Sequence, residues 1–304
     1  MTAIDLGSNT IRFLNFDCTT MCETAAFERV VRTAEGLHES GRVSEAALER
    51  ILRAIEEARE EIGLQTPIKA TATAAFRQAG NTQEALAYLL KKSGIAFEVI
   101  DAGREADLSA MAVYEAAGRI RPVDSLLILD IGGASTEIMY KDGSRSESLS
   151  FDIGIVTSAN RFGENEAALV ESLQPMLERI DTFVSHCIRI HGTPSCFAAT
   201  AGTPTTLAAI KQGMDHATYD KASINGTVLS LRDINDTYCT LLQMDADARD
   251  RLVGSKRGDL VMCGVVIFRE IFKTIGYEAC MVFDDGLREG IAIAACQERG
   301  NTKD

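Results

Sequence analysis

Proline is scarce in this chain of 304 residues, with five in all, and no Ser-, Gly- or Pro-rich tract divides it. Any domains are therefore joined by short, ordered crossings rather than by a flexible linker. A surplus of positive charge is also missing. The formal net charge is −13, which excludes broad, unspecific binding to nucleic acid or to a membrane surface, since both need a basic face. An anionic ligand held in a local site stays open. No apolar run is long enough to span a bilayer, and no secretory leader opens the chain, so a cytoplasmic protein is expected. No C-x-x-C pair occurs among the eight cysteines, Cys18, Cys22, Cys187, Cys196, Cys239, Cys263, Cys280 and Cys296. They read as reduced thiols. The four histidines show no metal-ligand spacing and read as structural or surface residues.

What is present is an alternation of strands and helices. Thr2 to Leu6 reads as a strand with Ile11 to Phe16 as its hairpin partner. Ser44 caps a helix whose apolar residues Leu48, Ile51, Leu52, Ile55 and Ile62 recur at helical spacing up to Gly63. Further strands are expected at Pro67–Thr73, Ala96–Ile100, Leu126–Ile131, Leu149–Ile155, Cys196–Ala199 and Ala279–Phe283. Helices are expected at Thr82–Lys92, Glu105–Gly118, Ala167–Ile190, from Gly202, from Ser230, over Asp259–Ile275 and after Asp284. This is an α/β pattern.

One segment echoes another. Ile4 to Ile11 (IDLGSNTI) and Leu129 to Ile138 (LDIGGASTEI) share an aliphatic residue, Asp, a second aliphatic residue, Gly, small polar residues and a returning strand. The repeat implies two related halves. Gly- and Ser-rich turns after strands present backbone N–H groups that can hold phosphate. Three such turns occur, at Gly7–Thr10, Gly132–Ser135 and Gly202–Thr203. Asp5 and Asp130 each end a strand, where α/β proteins place ligands. A carboxylate beside a phosphate nest calls for a hard divalent cation between them, and Mg²⁺ is the natural one. Taken singly, each Asp could equally cap its own turn. Glu105 opens a helix just after a strand. It reads either as a first-turn Glu complementing the helix dipole or as a general base.

Several segments in order resemble the exopolyphosphatase / guanosine pentaphosphate phosphohydrolase (Ppx/GppA) family. They are AIDLGSNTIRFL, ATATAAFRQAGN (Ala70–Asn81), GREADL (Gly103–Leu108), LDIGGASTEI, SLSFDIGIV (Ser148–Val156), ATAGTPTTLAAI (Ala199–Ile210), KRGDLVMCGVVI (Lys256–Ile267) and DDGLREG (Asp284–Gly290). The resemblance implies an α/β fold of two ribonuclease-H-like domains, of the actin / heat-shock chaperone / sugar kinase type, around a central cleft. The domains would be 1–121 with a closing helix over 286–304, and 122–285. It implies a short form without the C-terminal helical domain that many relatives carry. It further implies Mg²⁺-dependent removal of the terminal phosphate of polyphosphate or guanosine pentaphosphate, polyphosphate and the guanosine penta- and tetraphosphates being the ligands, and a homodimer.

Carried over by position, Glu105 matches the family's catalytic base, and Asp130 and Glu137 match its acids for metal and water, with Asp5 facing the metal from the other half. Ser8, Asn9, Gly132, Gly133, Ala134, Ser135, Gly202 and Thr203 match phosphate-loop positions. Arg77 matches a phosphate-contacting Arg, and Lys256 and Arg257 are candidates for a local basic patch. Asp5 lacks a companion equivalent to Glu137 on its returning strand, the residue after Thr10 being Ile11. Ala134, Ala199 and Ala201 stand where the family has glycines. Two rival readings share this scaffold: an ATP-dependent phosphotransferase or nucleotide phosphatase, and a polyphosphate- or alarmone-binding regulator with weak catalysis.

Overall fold

The computed structural model of the chain describes residues 1–163, 165–254 and 257–301. The chain divides into two compact units, Met1–Ala112 with Leu287–Asp304, and Val113–Gly286. The elements that begin in unit 1 are β1 (Thr2–Leu6), β2 (Thr10–Asp17), β3 (Cys22–Val30), α1 (Leu37–Ser40), α2 (Glu45–Ile62), β4 (Ile68–Ala72), α3 (Ala74–Gln78), α4 (Thr82–Ser93), β5 (Phe97–Val99) and α5 (Ala102–Ile120). Those of unit 2 are β6 (Ser125–Ile131), β7 (Thr136–Asp142), β8 (Ser146–Phe151), α6 (Ile155–Phe162), α7 (Glu166–His191), β9 (Cys196–Thr200), α8 (Gly202–Lys211), α9 (Lys221–Ile224), β10 (Thr227–Ser230), α10 (Leu231–Leu242), α11 (Ala246–Val253), α12 (Gly258–Ile275) and β11 (Ala279–Val282). The closing helix α13 (Leu287–Asn301) returns to unit 1.

The sequence repeat is a repeat of topology. Unit 1 holds a five-stranded sheet in the order β3-β2-β1-β4-β5, and unit 2 a six-stranded sheet in the order β10-β11-β9-β6-β7-β8. Read from the hairpin edge, β8-β7-β6-β9-β11 repeats β3-β2-β1-β4-β5, with β10 added antiparallel at the far end. In each unit a hairpin meander feeds a parallel run, β1 beside β4 beside β5 and β6 beside β9 beside β11. The apolar run Leu126–Leu129 makes β6 a central strand buried on both faces. By contrast β3 (CETAAFERV) has only Phe27 buried and sits at an edge behind charged side chains.

Strand β1 alternates between two cores, as a period of two requires. Ile4 and Leu6 pack with Ile51 and Ile55 of α2, while Ala3 faces Ile291, Ala292 and Ala295 of α13. The closing helix thus packs on the first sheet. Division by contact falls within α5, between Ala112 and Val113, rather than after residue 121. Leu108 and Ala112 join the core beneath α13, while Tyr114 donates its hydroxyl to the Val123 carbonyl of unit 2.

Two expectations are corrected. Cys18 and Cys296 form a disulfide across a sequence separation of 278 residues, so these two are not reduced thiols. The packing of α13 on β1 and β2 brings their segments together, and the chain-entropy account gives a longer closed loop a larger stabilisation. The strand expected to reach Ile155 stops at Phe151, and Ile155 opens α6. Gly154, still extended, is the N-cap of that helix. Among the described residues no helix is long and apolar enough to cross a membrane.

Candidate active site

Unit 1 collects its expected site residues at the carboxyl ends of its parallel strands, where α/β sheets bind ligands. Asp5 is the penultimate residue of β1, and Gly7 to Asn9 form the turn to β2. The Gly7 N–H closes this turn on the Thr10 carbonyl at 3.0 Å. The Ser8 carbonyl accepts from the Ala34 N–H, and the Asn9 carbonyl accepts from Val31 and Arg32. In a trans peptide the N–H points opposite to the C=O. Fixing the Ser8 carbonyl therefore turns the Asn9 N–H to the other side of the loop.

Arg77 lies on α3, just past β4, and Glu105 in the first turn of α5, just past β5. The structure brings them together. Arg77 Nη1 donates to Glu105 Oε2 at 2.5 Å and to the Ile100 carbonyl at 3.0 Å. Burial pushes the Glu105 carboxyl above its ordinary pKa, and the adjacent Arg77 charge offsets only part of that. Among the described residues no acceptor engages Nε or Nη2 of Arg77. That edge of the guanidinium is the planar fork that pairs bidentately with phosphate.

In unit 2 the expected site residues lie on the second hairpin and the third loop. Gly132 closes the turn by donating to the Ser135 carbonyl at 2.9 Å. The first N–H groups of α6 hold this turn from behind: Ile155 donates to the Gly132 carbonyl at 3.0 Å and Val156 to the Gly133 carbonyl at 2.8 Å. The contact requires Gly154, since a Cβ there would stand 2.5 Å from the Gly133 carbonyl carbon and 2.6 Å from the Ala134 nitrogen. By the same peptide geometry the Gly133 and Ala134 N–H groups point away from α6. Neither has a partner among the described residues. Successive N–H groups turned the same way make an anion nest.

Asp130 and Glu137 are direct register partners across β6 and β7, which sets their Cβ atoms about 5 Å apart on one face. Glu137 is 4% exposed, and its Oε1 accepts from Ser150 Oγ at 2.8 Å. Two opposed carboxylates repel unless a cation joins them. Among the described residues no three His, Cys, Asp or Glu side chains are arranged to hold a metal. Mg²⁺ does not require three: one or two carboxylates, completed by water and phosphate oxygens, are its usual protein share. The Asp130–Glu137 pair fits that demand. Asp5 does not share the pattern. Its register partners are Arg12 and Thr71, and Arg12, rather than Ile11, occupies the place equivalent to Glu137.

The third loop separates the three alanine replacements. Ala199 lies inside β9 and Ala134 inside the turn, neither with positive φ, but Ala201 has φ 70° and ψ −174°. That region is close to glycine-only and costs an L-residue about 1–3 kcal/mol. Thr203 does not offer its hydroxyl to a ligand. Its Oγ1 lies against the backbone of Gly264 on α12, where a Cβ would stand 2.1 Å away. Any phosphate contact at Thr203 therefore falls to its main chain at the start of α8. Arg257 Nη2 lies 3.5 Å from where a Gly202 Cβ would stand, so a cation sits beside the positive end of α8, an arrangement that an anion would relieve. Lys256, the other basic candidate, lies outside the described residues.

Arg12, Ser150 and Gly154 escaped the sequence reading. Arg12 was findable, because Asp5 to Arg12 and Asp130 to Glu137 are both seven residues apart. Ser150 and Gly154 gave no local signal, since their roles depend on register and on a backbone contact.

A family model for the Ppx/GppA phosphatase family matches residues 18–298. The chain belongs to this family. The solved PPX-GPPA enzyme of Aquifex aeolicus is 26% identical, with a TM-score of 0.76 over 96% of this chain and 98% of its own. An exopolyphosphatase from Cytophaga hutchinsonii is 24% identical, with a TM-score of 0.81 over 98% and 97%. An exopolyphosphatase-like protein, also 24% identical, reaches 0.82 over 98% and 99%. The fold is therefore of the actin / heat-shock chaperone / sugar kinase type expected from the sequence. Membership in the Ppx/GppA family makes the chain a phosphatase at the family level.

Proposed function

We propose that this Ppx/GppA protein hydrolyses the terminal phosphoanhydride of inorganic polyphosphate or guanosine pentaphosphate, with Mg²⁺ as cofactor. The observation that carries the reading is the Arg77–Glu105 pair. It couples a buried carboxyl of raised pKa to a guanidinium whose outer edge can take phosphate oxygens. Arg77 thus links base and substrate, keeping Nη1 on Glu105 while Nε and Nη2 hold the terminal phosphate.

The candidate donors to further phosphate oxygens are the Asn9 N–H in unit 1 and, within unit 2, the N–H groups of Gly133, Ala134 and the first turn of α8. Glu105 accepts a proton from a water as its oxygen bonds to the terminal phosphorus. The bond from phosphorus to the bridging oxygen breaks, and the shortened chain leaves with that oxygen. Asp130 and Glu137 would hold Mg²⁺, which supplies charge neutralisation for the equatorial and leaving oxygens. Glu137 also orients the water. We place the reaction in the cytoplasm and in a homodimer.

The test is phosphate release from polyphosphate, guanosine pentaphosphate and ATP, side by side with Mg²⁺. Glu105→Gln is expected to lower turnover by about 10²–10⁴-fold, the usual share of a general base. Undiminished turnover would sink that role, and preferential release from ATP would favour the phosphotransferase or nucleotide phosphatase reading. A specific feature supports a second reading, an alarmone- or polyphosphate-binding regulator: the strained Ala201 in the third loop. Tight guanosine tetraphosphate binding without hydrolysis would establish it.

A further inference from the structure

We propose that Ser150 is a positioning residue for Glu137. The inference rests on the reading above, in which Glu137 serves metal and water, and it assigns a function to a side chain on the third strand of the meander. Register pairs Thr200 of β9 with Asp130 of β6, Asp130 with Glu137 of β7, and Glu137 with Ser150 of β8. Directly paired residues share a face, so these four side chains form one polar row across the sheet near the ligand-bearing strand ends.

Within that row Glu137 is the side chain most in need of a support. It is buried, has three rotatable bonds and faces a second carboxylate directly across the ladder. Repulsion between the two acids acts to swing the Glu137 carboxyl away from Asp130. The Ser150 hydroxyl donates to Oε1 at 2.8 Å and fixes the carboxylate plane. The donor itself is well anchored. It hangs on a strand whose backbone is paired with Glu137's own strand from Thr136↔Phe151 to Lys141↔Ser146, so it moves with the acid it holds. The far end of the row is tied as well, where Thr200 Oγ1 donates to the Asp285 carbonyl at 2.8 Å. Outer partners of this kind set the orientation of metal- and water-binding carboxylates, and losing one typically costs about 10–100-fold in affinity or activity.

The test compares Ser150→Ala and Ser150→Thr with wild type by Mg²⁺ calorimetry and by phosphate release. Ser150→Thr keeps the hydroxyl. The expected result is that Ser150→Ala binds Mg²⁺ at least about tenfold more weakly and loses kcat by about 10–100-fold with KM little changed. Ser150→Thr should restore both, and the melting temperatures of all three should lie close together. Wild-type Mg²⁺ affinity in Ser150→Ala, or equal loss in Ser150→Thr, overturns the proposal. If wild type releases phosphate from no substrate, the hydrolase reading fails instead, and the calorimetric comparison still decides the role of Ser150.

Discussion

The two hairpins have the same length, the same closing bond and the same place in their sheets, yet one carries Asp5 beside Arg12 and the other Asp130 beside Glu137. In unit 1 the acid faces a cation, and Arg12 in turn approaches Glu28 at 3.5 Å. Arg12 thus stands between two carboxylates. In unit 2 the acid faces an acid across the same register. Duplication of a supersecondary unit thus kept the backbone scaffold and divided the chemistry. Both hairpins present main-chain donors, and the second adds an acid pair suited to gathering a cation.

The sharpest way to break the contrast is Glu137→Arg, which writes the first hairpin's pattern into the second. Phosphate release is expected to fall by up to about 10⁴-fold, as for loss of a directly acting group. Added Mg²⁺ should not restore it in a titration. Retained activity would show that the acid pair is not where the cation acts.

The hairpins also differ in what braces them. The second leans on α6 through Gly154, so Gly154→Ala drives a methyl into the Gly133–Ala134 backbone. Urea unfolding should show a loss of about 1–3 kcal/mol or more, the usual range for overpacking. No loss would mean that α6 can retreat without cost.

How far these features were legible follows from their range along the chain. The duplicated motif, the capped α2 and the apolar run of β6 were readable because period and punctuation are local. Strand β3 was not, because an edge strand with one buried residue lacks the alternation that marks a half-buried one. Arg77 and Glu105 were each singled out, but nothing in the sequence says that residues 28 apart are partners. The Cys18–Cys296 bridge is a stronger case of the same gap. The glycine replacements were visible as substitutions, whereas which of them mattered depended on φ, and only the folded chain assigns +70° to Ala201.

A smaller effect is therefore expected at that third loop. Ala201→Gly relieves the strain of about 1–3 kcal/mol against a backbone-entropy cost of about 0.5–1 kcal/mol. Thermal unfolding should show a net gain of roughly 1 kcal/mol, and a loss would mean that Ala201 is not strained. The same variant distinguishes a loop tuned for binding from one tuned for turnover, since phosphate release would rise only in the second case.

The smallest effect is one of pH. Burial raises the Glu105 carboxyl above its ordinary value, so the folded protein holds that proton more tightly than the unfolded chain. The wild type then loses stability from this group as pH rises through the folded value. Glu105→Gln lacks the proton altogether. Its stability relative to wild type should grow as pH rises above the ordinary carboxylate range in paired urea titrations, and a flat difference would contradict the raised pKa.

The bracing of the second hairpin by α6 bears finally on speed. A loop whose carbonyls are already tied back has no ordering left to do when an anion arrives, so little conformational entropy is lost on capture. Association at that hairpin should be limited by encounter rather than by folding of the loop. On a surface of net charge −13, encounter with a polyanion is itself the slow event, and added salt should hasten it by screening the repulsion.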